Sequence, residues 1–123
     1  MIKGIGTDIV KVERIAQSIR RTENFLPGLF TLKEIDYFKS RKNNVETIAG
    51  TFAAKEAVSK ALGTGFRGFR LKDIEIIHDE LGKPAVNLSD KVITLFNLTK
   101  YKIHLTISHT SEDAIAFAIL EDI

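Results

Sequence analysis

The chain has 123 residues, and 18 lysines and arginines against 16 aspartates and glutamates leave a formal charge of +2. That length suits one domain, residues 1–123, with about two thirds of its unfolded surface buried, and the near balance of charge excludes the polycation that non-specific nucleic-acid binding favours. The absence of cysteine removes disulfides, thiolate metal sites and cysteine nucleophiles together. Met1 to Gly6 lacks signal-peptide architecture and the longest apolar run, Ala114 to Leu120, is too short for a bilayer, so a soluble cytoplasmic protein is expected.

Ile2 to Val10 reads as a strand, with Ile5 and Ile9 on one face and Gly4, Gly6 and Asp8 on the other, where the glycines are expected to leave open space beside the carboxylate. An amphipathic helix follows over about Val12 to Arg20. Val12, Ile15, Ala16 and Ile19 point inward, while Lys11, Arg14, Ser18 and Arg21 form an outer basic stripe. Pro27-Gly28 is read as a break, and Thr31-Leu32-Lys33-Glu34 has the form of a capping box opening a short helix through Phe38.

The most telling element comes next. Val45, Ile48, Ala49 and Phe52 recur at spacings of three and four, and the same stripe continues into Glu56, Ser59 and Lys60 before Gly63 ends the helix. Ionic groups on a face meant for burial carry a desolvation cost unless a metal, a ligand or a partner charge compensates them. The plain alternative is an exposed pair, since Glu56 and Lys60 stand four apart in the favourable order. Beyond a loop to Arg70, Asp73 to His78 and Pro84 to Asn87 read as a hairpin around Asp79 to Lys83, and Ser89 as the cap of a helix reaching Leu98. Lys102 to His109 and Ala114 to Leu120 close the chain as strands joined through Thr110 to Asp113; the last is apolar on both faces and is expected to be covered on both, in part by another subunit.

Each chemical candidate has a structural alternative at this level. Gly63-Thr64-Gly65-Phe66-Arg67-Gly68 has dinucleotide-loop spacing but follows a helix, which excludes a Rossmann site and leaves either a helix C-cap or a loop approaching a phosphate. Ser108 and His109 point to opposite faces of a strand, which argues against a hydrolase nucleophile. His109 is either a hydrogen-bonded strand end or a catalytic group, and His78 and His104 have no metal-ligand spacing. Asp8 either caps the following helix or joins Glu56 in an oxygen-rich set of the kind magnesium takes, with waters and substrate phosphates completing the shell. Such a set points to phosphate transfer. The basic stripe is either a solvated face or a dock for an acidic protein.

Three segments taken together, Gly4 to Val10 continuing through Arg14-Ile15, Phe52 to Gly65, and Ile107-Ser108-His109-Thr110, resemble the holo-acyl-carrier-protein synthases, the small 4'-phosphopantetheinyl transferases. The likeness spans nearly the whole chain. It implies an α+β fold, an antiparallel sheet packed with helices including one long central helix, assembled as a homotrimer with coenzyme A between subunits. It further implies that Asp8 and Glu56 bind magnesium, that Lys60 and His109 contact or activate coenzyme A, and that Gly63, Thr64, Gly65, Lys83, Pro84 and Thr110 line its cleft. The activity implied is transfer of phosphopantetheine to apo acyl carrier protein, in support of fatty acid biosynthesis; the basic stripe, Lys11, Arg14 and Arg21, is then expected to dock that carrier.

One position departs from the family pattern: Thr51 stands where an arginine often precedes Phe-Ala-Ala-Lys-Glu-Ala, and Lys55, Arg67 and Arg70 are the candidates to replace its charge. The base that takes the serine proton is either Glu56, through a metal-held water, or a carboxylate of the carrier. The rival readings are a non-catalytic oligomeric module for an acidic protein and a nucleotide-binding regulator.

Overall fold

The computed structural model describes residues 1–63 and 67–123. In order they form β1 (Ile2–Lys11), α1 (Val12–Arg21), α2 (Phe25–Leu29), α3 (Leu32–Ser40), α4 (Val45–Leu62), a 3-10 turn (Leu71–Asp73), β2 (Ile74–His78), β3 (Pro84–Leu88), α5 (Asp90–Leu95), β4 (Tyr101–His109) and β5 (Asp113–Asp122). β5 lies between β1 and β4 in an antiparallel sheet, and β2 and β3 make a separate hairpin. This is an α+β fold built around one long helix.

The caps expected at Thr31 and Ser89 form, and Asn44 adds one that was not expected. Thr31 Oγ1 accepts from Glu34 N while Glu34 Oε1 accepts from Thr31 N, and the side chains of Asn44 and Ser89 cap α4 and α5. The hairpin closes through Asp79, whose Oδ1 accepts from Leu81 N and Lys83 N, with Gly82 at φ 85°. Around Pro27-Gly28 the chain does not break but turns once as α2. Pro27 sits in its first turn, where the missing N–H would have had no helical partner.

α4 crosses one face of the three-stranded sheet obliquely, and glycines set how close it comes. At β4, a Cβ on Gly50 would lie 2.9 Å from Ile107 Cγ2; at β1, a Cβ on Gly4 would meet Ala61 O at 1.9 Å and one on Gly6 would meet Ala57 O at 2.0 Å. The space over Gly4 and Gly6 is therefore filled by helix backbone rather than open, which corrects the expectation from the two glycines. Ala53, Ala54, Ala57, Ala114, Ala116 and Ala118, all buried, let helix and sheet pack at this distance.

The far face of the sheet is apolar and uncovered in the single chain: Ile5 is 61% exposed, Ile9 65% and Phe117 39%. β5 is thus covered on one side, by α4, and bare on the other. No helix among the described residues is long and apolar enough to cross a membrane.

Candidate active site

Asp8 stands on the inward side of β1, two residues beyond Gly6, where α4 comes closest. Lys60 Nζ donates to Thr7 O at 2.9 Å and approaches Asp8 Oδ1 at 3.3 Å. Asp8 does not cap α1: the N-cap is Lys11, and no side-chain cap bond is made there among the described residues. Glu56, half buried, feels Asp8 as well; burial first and the Asp8 charge second push its carboxyl above the usual range, and Lys60 opposes them.

Two carboxylates thus share one ammonium, and a negative charge is left over on two rigid elements. This donor chemistry fits a hard divalent cation. No cluster of three or more His, Asp or Glu residues able to hold a metal exists among the described residues, so such an ion would take its other ligands from water or substrate.

The stripe that carries Glu56 is not uniformly a site. Ser59 is buried, Glu56 is intermediate and Lys60 is exposed. Its neighbour Lys55 turns the other way and is wholly buried, with Nζ 2.6 Å from Glu34 Oε1 and donating to Leu29 O at 3.1 Å and Leu71 O at 3.0 Å. Glu34 Oε2 in turn accepts from Ile76 N at 2.8 Å. Lys55 is consumed by this internal joint, so it does not replace the arginine absent at Thr51.

His109 lies elsewhere in the chain. It pairs with Ala114 of β5, which pairs with Val10 of β1, so two strand spacings separate it from β1. Its Nδ1 is 3.1 Å from Glu46 Oε2, in the first turn of α4, and Glu46 is about 15 Å along the helix axis from Glu56. His109 and Pro84 line one cleft of about 210 Å³ with Thr51, Thr106 and Tyr37, over a floor where Tyr37 stacks on His78 at 3.9 Å. Lys83 is exposed beside Pro84, and Thr110 Oγ1 accepts from Glu112 N and Asp113 N in the turn after His109. Gly63 caps α4 with φ 103°, whereas Thr64 and Gly65 lie outside the described residues. One chain therefore separates the carboxylates from the histidine cleft.

Beside Asp8 and Glu56 a second concavity, about 400 Å³, is floored by Ile15, Phe25 and Phe52 and rimmed by Arg14 and Ser18. Phe52 had the spacing of a core residue; it is half buried and lines this hollow. Lys11 and Arg21 are exposed, Lys11 as the last residue of β1, and Arg20 is engaged by Glu13 at 3.1 Å. The stripe on α1 is thus basic at Arg14 and Arg21, and the Glu13–Arg20 pair lies to one side of it.

The model of the 4'-phosphopantetheinyl transferase superfamily matches residues 4–119. The chain belongs to that family. It is 64% identical over 121 residues, 98% of each chain, to the holo-[acyl-carrier-protein] synthase of Clostridium botulinum strain Eklund 17B. Among solved structures, the Neisseria meningitidis holo-[acyl-carrier-protein] synthase superposes with a TM-score of 0.87 at 34% identity, covering 99% of this chain and 100% of its own. The Helicobacter pylori synthase in complex with coenzyme A gives 0.84 at 34% identity, covering 95% and 99%.

Proposed function

We propose that this chain, acting as a single phosphopantetheinyl transferase domain, moves the 4'-phosphopantetheine group of coenzyme A to a serine hydroxyl of an apo acyl carrier protein. The serine oxygen forms a new bond to the phosphorus bearing the pantetheine arm, the pyrophosphate P–O bond breaks, and adenosine 3',5'-bisphosphate leaves. The observation that carries this reading is the unbalanced Asp8–Glu56–Lys60 group in a member of this family. Asp8 and Glu56 are the residues that would hold magnesium, which when bound neutralises pyrophosphate charge as the bond breaks. Lys60, fixed by Thr7 O and Asp8, presents its remaining donor capacity to the same phosphates. The serine proton goes to Glu56 or to a carboxylate of the carrier.

Coenzyme A is long enough to reach from these carboxylates to a distant contact, and the bare sheet face supplies a reason for assembly. Ile5, Ile9, Ile115 and Phe117 form an exposed apolar patch of the kind that is covered in a stable protein. A second copy covers it, and a closed homotrimer, each interface joining the carboxylates of one protomer to the His109 cleft of the next, unites the halves that one chain keeps apart. His109, Pro84, Lys83 and Thr110 then complete the coenzyme A cleft, as does Gly63; Thr64 and Gly65, also expected there, lie outside the described residues. The carrier docks on Arg14, Arg21 and Lys11 and sends an apolar side chain into the hollow over Ile15, Phe25 and Phe52, next to the reacting serine.

The test is direct: incubate the chain with coenzyme A, magnesium and an apo carrier protein, and weigh the carrier by mass spectrometry. The expected result is a mass gain of one phosphopantetheine group, lost on chelation of the metal. A carrier of unchanged mass across metals and pH would sink the reading.

A further inference from the structure

One contact in the His109 cleft is left unused by the reaction as derived. Glu46 Oε2 and His109 Nδ1 are 3.1 Å apart, and both side chains are partly open to the cleft. Glu46 is in the first turn of α4, but the capping bond there is already made by Asn44, whose side-chain oxygen accepts from Thr47 N at 3.2 Å. The carboxylate is turned to the imidazole instead. A carboxylate is an acceptor at neutral pH, so a hydrogen bond closed across this ion-pair contact takes its hydrogen from Nδ1. Holding Nδ1 as a donor leaves Nε2 to meet a ligand, as an acceptor when the ring is neutral and as a donor when it is protonated.

The surroundings decide which state an anion would use. No lysine or arginine is among the described residues lining this cleft. Its titratable groups besides His109 are Glu46 of α4, Tyr37 of α3 and His78 of β2, with Arg41 standing 5.4 Å over the Tyr37 ring. Burial first and Arg41 second hold His78 below the usual histidine range, so that ring is neutral at pH 7. Of the side chains lining this cleft, His109 can bring positive charge to a phosphate, with Lys83 beside Pro84 at its edge.

We infer that Glu46 is a positioning residue for the transfer, fixing the tautomer and aim of His109 so that its protonated Nε2 donates to a phosphate oxygen of coenzyme A. The inference rests on the reading of His109 as a coenzyme A contact.

Steady-state kinetics at saturating carrier, with coenzyme A varied across pH, test it on the parent, Glu46→Ala, Glu46→Gln, His109→Ala and the Glu46→Ala/His109→Ala double variant. Nitrogen-15 shifts of the His109 ring are read in parallel. Glu46→Ala should raise KM for coenzyme A about tenfold, the low end for the outer partner of a functional histidine, with kcat changed far less. Glu46→Gln should recover most of that loss, because its carbonyl still accepts from Nδ1–H. In the His109→Ala background Glu46→Ala should add nothing. In the parent, the neutral ring should be the Nδ1–H tautomer.

Equal losses from Glu46→Ala in both backgrounds would show a role in α4 alone and overturn the inference. So would an Nε2–H tautomer in the parent, which is measured without any substitution. If His109→Ala leaves KM unchanged, the reading of His109 itself has failed, an outcome separate from the other two.

Discussion

Lys55 and Glu56 are neighbours on one helix, yet the chain treats their charges in opposite ways. Lys55 enters a sealed joint in which Glu34, Leu29 O and Leu71 O together accept from its ammonium, and Glu34 spends its other oxygen on Ile76 N. Burial pushes the Glu34 carboxyl up and the Lys55 ammonium down, each opposed by the partner's charge. On the other side of the helix, Glu56 and Asp8 repel each other and share Lys60 with surplus negative charge. The sealed pair ties α4 to α2, α3, β2 and the 3-10 turn. The open group has unspent electrostatic capacity, which is what a site must keep for its ligand.

The largest effects should separate these two groups. Asp8→Ala and Glu56→Ala should each lower magnesium-dependent transfer about a thousandfold or more, the scale of losing a group that stabilises developing charge, while the fold survives. Turnover near the parent level in either variant would break the assignment. The sign of the stability change is fixed by the raised Glu56 titration. The folded chain binds this proton more tightly than the unfolded chain, so stability falls as pH rises from the ordinary glutamate range through the raised value. Glu56→Gln removes that penalty, and the metal-free variant should melt higher than the parent at neutral pH.

Lys55→Met should do the reverse. It leaves Glu34 buried without its charge partner and should cost about 3–5 kcal/mol in chemical denaturation, with the double variant Glu34→Gln/Lys55→Met costing less than the sum of the single changes. Additive losses would mean that the pair is not coupled.

This contrast marks the limit of what the sequence could disclose. Periodicity, caps and glycine stops placed the strands and the long helix because those signals are local, and the Thr31–Glu34 box was legible for that reason. Nothing local says that Glu34 also reaches Lys55, or that Glu46 meets His109, because those partners come together only when α4 lies across the sheet. The glycines beside Asp8 were noticed but misread: absent side chains looked like room for a ligand, and they are room for α4. α2 escaped because proline and glycine are helix breakers everywhere except at a helix end, and α2 is little more than an end. The three family segments singled out candidate residues without revealing that one chain places His109 far from Asp8.

Gly6→Ala probes how the open group is held. The added methyl would fall 2.0 Å from Ala57 O and 2.9 Å from Lys60 Cβ, so strand and helix must separate near Asp8. A stability loss of about 1–3 kcal/mol is expected, the range for overpacking a tight interior contact. Transfer should fall further than the unfolded fraction explains at a temperature where the variant remains folded. Full activity per folded molecule would show that the Asp8–Lys60 spacing tolerates movement.

The smallest effect should come from the rim of the open group, where charge serves encounter rather than chemistry. Arg14 is exposed and lines the hollow that also contains Asp8 and Glu56, whereas Arg21 lies farther along α1 and outside that lining. Reversing either charge leaves Val12 and Ile15 buried as before, so folding should be unchanged. If an acidic carrier approaches over α1, Arg14→Glu should raise its KM about tenfold and Arg21→Glu less, with KM for coenzyme A nearly constant in both. Added salt should raise the carrier KM of the parent and lower that of Arg14→Glu, because screening removes an attraction in the first and a repulsion in the second. The measurement is steady-state kinetics with carrier varied at saturating coenzyme A and two ionic strengths. A carrier KM and salt response identical to the parent in both variants would place the dock elsewhere and leave these arginines as a solvated face of α1.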